Sequence, residues 1–186
     1  MLHKSPRNRA SLKDLRDDYR CIATGAIYTQ YYRAHRGEIG EHNSSIKLLR
    51  CCRIFPGLTN SSLHKIVCTV LEGPGFTQLV EELAKENIST ALKNVFMVES
   101  VDLCDCFDTL ELWFEPVTGV PNRYRFASIH PLEAIGIRKE FITFHSSNPR
   151  LPSPSSEYLS IHAACCRIAH LSGASDHLYE LEEHCC

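Results

Sequence analysis

Several things are missing from this chain, and each absence narrows what it does. No run of 18 or more apolar residues occurs, so no membrane-spanning helix and no membrane partner are expected. No apolar signal region stands at the N-terminus, which predicts an intracellular, reducing compartment, nuclear or cytoplasmic, and not a secreted protein. No CxxC spacing occurs among the ten cysteines. Eight of them come as adjacent pairs, Cys51-Cys52, Cys165-Cys166 and Cys185-Cys186, or as Cys104-x-Cys106, with Cys21 and Cys68 alone, and neighbouring side chains do not easily share one tetrahedral ion. Spacing therefore argues against a structural zinc knuckle. His162 and His170 lie eight residues apart on one predicted helix, too far for a common metal. Internal repeats are absent as well.

What is present is enough for one core: 186 residues, 44% of them hydrophobic. Net charge is only −2, but it is unevenly spread. Residues 1–53 carry eleven Lys/Arg against five Asp/Glu, whereas residues 54–115 carry three against ten. The basic first third suits phosphate contact, because neutralising phosphates and releasing counterions drives nucleic-acid affinity. The acidic middle repels a phosphate backbone unless a cation is bound there.

Residues 1–11 read as a disordered basic leader, 12–175 as a single domain and 176–186 as a short acidic helical tail. Leu12 to Gly25 predicts a short helix or turn leading to a strand or hairpin near Tyr19 to Ala26, and Tyr28 to Ile39 a helix mixing tyrosine with arginine. Ile46 to Phe55 reads as one strand ended by Pro56-Gly57. Apolar spacing then gives two helices, an insert over 58–90. Val95 to Val98 is a short strand and Ser100 caps the next helix; Leu110 to Glu115 and Arg123 to Ser128 form a hairpin, with Phe141 to Phe144 a third strand. The last helix runs from Ser156 to Leu171, with Tyr158, Ile161, Cys165 and Ile168 on its core side and Gly173 as its stop.

Four spaced elements carry a family resemblance: Arg20-Cys21-Ile22-Ala23-Thr24-Gly25, Cys52-Arg53-Ile54-Phe55-Pro56, Asn94 within Lys93 to Met97, and Asp102-Leu103-Cys104-Asp105-Cys106-Phe107-Asp108. In this order they resemble the RC-x-x-TG, AHI-x-P, N-x-x-x-L and DLHxxFD elements of fungal HNH nuclease-domain proteins. Pro121 to Arg125 and Leu151 to Pro154 look like the downstream part of the same proteins, so the resemblance spans roughly residues 12–175. It implies an α+β fold with a ββα-metal core, extended by the hairpin and wrapped by helices. It also implies a metal-dependent phosphodiester hydrolase acting on DNA, with Arg53, Asn94 and Cys104 at the triad positions.

Both motif histidines are replaced. Arginine stays protonated and has no acceptor lone pair, so Arg53 cannot be the general base, though it can hold a phosphate by a bidentate contact. A cysteine at 104 is a soft ligand, suited to zinc more than to the hard magnesium or manganese that phosphodiester cleavage uses. Cys104 and Asp108 share a helix face at the i, i+4 spacing and form the candidate site for a divalent cation, Mg, Mn or Zn; the alternative is a buried hydrophobe beside a local cap. Asn94 is expected to fix the strand-to-helix loop. Arg123 and Arg125 share a strand face and join Arg53 as candidate DNA contacts, or form the wet side of a hairpin. The expectation is an HNH endonuclease-like domain with impaired catalysis. Its rivals are a non-catalytic nucleic-acid module, and an interaction domain whose acidic face, Glu81 to Glu115, meets a basic protein partner.

Overall fold

A computed structural model describes residues 16–36, 45–55, 88–98, 101–146 and 148–173. The basic leader, all but the end of the expected insert, and the acidic tail lie outside the described residues. The described chain is α+β. In order it forms β1 (Ile27–Tyr28), α1 (Thr29–Ala34), β2 (Ile46–Lys47), β3 (Arg50–Arg53), α2 (Ile88–Lys93), β4 (Val95–Val98), α3 (Val101–Asp108), β5 (Leu112–Pro116), β6 (Arg123–Ser128), β7 (Phe141–Thr143) and α4 (Ser156–Ser172). β1 pairs in parallel with β2, β3 antiparallel with β4, and β5-β6-β7 form an antiparallel sheet in that order. Among the described residues no helix is long and apolar enough to cross a membrane.

The expected strand over Ile46 to Phe55 is two strands with different partners. The break falls at Leu48, 69% exposed, and Leu49, which turns into the core. Before it the chain follows β1; after it the chain pairs with β4. The Arg20 to Gly25 element is a tight turn closed by the amides of Cys21 and Gly25, which donate to the carbonyls of Ala26 and Cys21 at 2.8 and 2.9 Å. Gly25 sits at φ +77°, a region that penalises side chains, and Thr24 Oγ1 accepts from the Ala26 amide. Ile22 then donates to the Met97 carbonyl at 3.0 Å, tying the turn to β4.

β5 starts at Leu112, later than the alternation predicts, because Leu110 takes up a left-handed φ of +65°. There the Glu111 amide reaches back to the Cys106 carbonyl at 2.8 Å and the Leu110 amide to that of Phe107 at 3.3 Å, a Schellman closure of α3. Leu110 is 1% exposed, and its burial offsets the unfavourable backbone. Leu112, Trp113 and Phe114 are all buried because both faces of β5 are covered. Trp113 packs with Leu110, Ala163, Cys165, Cys166 and Ala169 beneath α4. Leu112 and Phe114 join the larger core, where the Phe96 ring meets those of Phe107, Phe114 and Phe144 with centroids 5.0, 5.4 and 6.2 Å apart. These aromatic contacts join the β3-β4 pair and α3 to the three-stranded sheet, each adding about 1 kcal/mol beyond area burial.

α4 opens on Ser155, whose side chain accepts from the Tyr158 amide, and closes on Gly173 at φ +73°. Its buried face overlaps the expected one but is rotated from it, with Ile161 partly buried against both cores. Tyr158 and Cys165 are inside, but Ile168 is 39% exposed, and His162, Ala163, Cys166 and Ala169 take the core instead. Small residues there let the helix approach β5 closely.

Candidate metal centre

Strand alternation decides which of two adjacent cysteines faces α3. Along β3 the side chains of Arg50 and Cys52 share one face and those of Cys51 and Arg53 the other. Cys52 is fully buried while Arg53 is exposed. On α3, Leu103 and Phe107 anchor the helix in the core, which leaves Cys104 half-buried, with Asp108 one turn further on. The Cys52 sulfur, the Cys104 sulfur and an Asp108 carboxylate oxygen all lie within 4.8 Å of one another. This is the one such group of three among the described residues.

The expected pair, Cys104 with Asp108, thus has a third member that spacing did not mark. Arg53, expected beside them, lies across the strand from Cys52. The arginine whose charge acts on the cluster is Arg50, which draws the Cys104 thiol downward. The larger cause is a hydrogen bond from Cys52: it holds Cys104 below the ordinary cysteine value, against burial and the charges of Asp108 and Asp105. Cys52 is correspondingly held far up, by that same bond and by its burial.

Two sulfurs and a carboxylate are a donor set for zinc, whose tetrahedral sites place sulfurs about 2.3 Å from the ion and hence just under about 4 Å from one another. The separations here need little contraction. They suit magnesium badly, since it demands near-octahedral oxygen.

The turn beside the cluster is braced twice. Asn94 Oδ1 accepts from the Phe55 amide and its Nδ2 donates to the Phe55 carbonyl, both at 2.8 Å, while its own carbonyl accepts from Ile54 at 2.8 Å. The end of β3 is thereby locked to the start of β4. Arg16, which no sequence pattern singles out, is fully buried against the same turn. Its guanidinium donates to the carbonyls of Leu92 at 2.6 Å and Val95 at 2.8 Å, and pairs with Asp17.

Arg123 and Arg125 share a face of β6, as the alternation predicts. Arg125 pairs with Glu115 at 2.7 Å, and Arg123 sits 4.8 Å over the Phe141 ring. Arg125, with help from Trp113 and Arg167, holds the Glu115 carboxyl below its usual range. Glu111 is buried against His130 at 3.2 Å. The last two acids of the expected acidic face are therefore engaged internally. His35 stacks on Tyr31 within α1 and its C-cap, with Nδ1 3.1 Å from the Tyr31 carbonyl, a packed residue and not a ligand of this cluster.

His162 is a buried histidine. Its ring stacks on Phe107, centroids 3.7 Å apart and 2° from parallel, with Nε2 3.1 Å from the Phe107 carbonyl and Nδ1 3.5 Å from the Cys166 sulfur. Burial drives its pKa down to about 4, so the ring is neutral. With no solvent path at 2% and 0% exposure, the pair is a packing element.

Comparisons with protein-family models, with curated proteins and with solved structures find no match to this chain. What the structure shows is an α+β protein in which two cysteines and an aspartate from a strand and a helix come together.

Proposed function

We propose that this chain is an HNH endonuclease-like protein of ββα-metal type that binds DNA without cutting it, and that its metal position is kept as a zinc site. One observation carries the reading. Cys52 on β3 converges with Cys104 and Asp108 on α3 beside a turn clamped by Asn94, so donors from a strand and from a helix one turn apart meet at the motif.

Cys52, Cys104 and Asp108 would hold the cation. Bound there, zinc would neutralise the local acids and attract phosphate oxygens. The remaining work belongs to the chain's own side chains. Asn94 and Arg16 hold the turn in shape. Arg53, exposed on the outer face of β3, can grip a phosphate but cannot take a proton from water. Hydrolysis lacks its base, and the soft donors disfavour the metals that would best support it.

A plasmid nicking assay with magnesium, manganese, nickel and zinc is expected to show no cleavage above a metal-free control. Cleavage that disappears in Asn94→Ala would overturn the claim of inactivity. Duplex DNA binding should survive, with log K falling about 0.9 per neutralised phosphate as salt rises, and Arg53→Ala should weaken it. No binding at low salt would remove the DNA reading.

A further inference from the structure

We propose that Cys52 and Cys104 are a redox-active pair that closes into a disulfide between β3 and α3, and that closure removes both sulfur ligands of the cation site. The metal half of this inference rests on the reading above; the disulfide half stands on geometry alone.

The two sulfurs lie within 4.8 Å of each other on separate elements. A disulfide needs them about 2 Å apart, and rotation about the Cα–Cβ bonds moves a cysteine sulfur by up to about 3 Å. No other two described cysteines share a close group of this kind. Cys106 lies two residues further along α3, on nearly the opposite side of the helix, and Cys51 is on the other face of β3. Cys165 and Cys166 are sequence neighbours, 5% and 0% exposed. Within the pair the roles differ by access. Cys104 is half-buried and reachable, whereas Cys52 is fully buried behind it. Arg50, on the same strand face as Cys52, supplies positive charge beside them.

The oxidant is a hydroperoxide. Its terminal oxygen transfers to the Cys104 thiolate sulfur: an S–O bond forms, the O–O bond breaks, and the departing alkoxide or hydroxide takes from solvent the proton the Cys104 thiol had released, giving a sulfenic acid and an alcohol or water. The Cys52 sulfur then attacks that sulfur, the S–S bond forms, the S–O bond breaks, and hydroxide leaves as water with the Cys52 proton. Two electrons pass from the sulfurs to the peroxide. A dithiol reductant reverses the change, restoring both thiols as it is itself oxidised.

The test uses the full chain with and without one equivalent of zinc, treated with hydrogen peroxide, alkylated and mapped by mass spectrometry. The expected product without zinc is a Cys52–Cys104 cross-link, reversed by dithiothreitol. Zinc should slow its formation at least tenfold, and the oxidised chain should lose at least 100-fold in zinc affinity. Cys52→Ser should stop at a Cys104 sulfenic acid that a dimedone probe traps. No cross-link in the wild-type chain, or cross-links chiefly to other cysteines, would overturn the proposal whether or not zinc binds. Cross-linking in a chain that never binds zinc would uphold the thiol pair and sink the metal reading instead.

Discussion

His162 is neutral because its site offers an aromatic face, one carbonyl and a thiol, and nothing to balance a charge. In the unfolded chain the ring takes up a proton near pH 6.5, whereas in the folded chain it does so only near pH 4. Its folded pKa is depressed, so its contribution is fully present above pH 6.5 and is lost as pH falls toward 4. The whole shift corresponds to about 3 kcal/mol. Urea midpoints measured between pH 7 and 4 should fall, and His162→Gln should flatten that dependence while lowering stability at pH 7. Arg16 and Asn94 are vulnerable for a different reason, since each satisfies backbone groups in pairs. Arg16→Met leaves the Asp17 carboxylate, whose side chain is 4% exposed, without its cation; an expected loss of about 3–5 kcal/mol is readable by denaturant titration. Asn94→Ala should cost about 2–3 kcal/mol by orphaning the Phe55 amide and carbonyl. Asn94 was legible in the sequence by its place in a motif. Arg16 was not, because its acceptors are carbonyls 76 and 79 residues away and leave no local pattern.

Periodicity reveals elements that are long enough to repeat. The β5-β6 hairpin and α4, with its serine start and glycine stop, follow from alternation, 3.6-residue spacing and caps. β1 and β2, two residues each, carry no period, and the broken strand at Leu48 follows from pairing with β1, which no window of sequence contains. The rotation of α4 that exposes Ile168 has a similar origin. Which stripe is buried depends on how closely the helix approaches Trp113, and that depends on Ala163, Cys166 and Ala169 being small. Enlarging one of them is therefore informative: Ala163→Leu should overpack the contact and cost about 1–3 kcal/mol, whereas Ile168→Ser should change thermal stability little. Cys52 belongs to this scale too. Cys51 and Cys52 look alike until strand register turns one of them toward α3.

For the whole molecule, the candidate zinc site joins a strand and a helix that are 52 positions apart in sequence at the cysteines. A cation held there and absent from the unfolded chain should add about 2.7 kcal/mol at a hundredfold excess over its Kd, seen as a rise in melting temperature that Cys104→Ser abolishes. Because the Asn94 and Arg16 braces are made between protein groups alone, the described fold should persist after chelation, unlike a finger that needs its metal to fold. Of the fold's charge pattern, the basic first third was visible in composition; that Glu111 and Glu115 are spent on His130, Arg125 and Arg167 was not. Trp113, 8% exposed and bonded to Glu115, adds a practical consequence. It is the chain's single tryptophan, and it sits in the α4 cluster while Cys52 belongs to the other core. Its emission therefore reports optically on one half of the molecule and zinc release on the other, and following both during unfolding distinguishes a single cooperative unit from two that separate in turn.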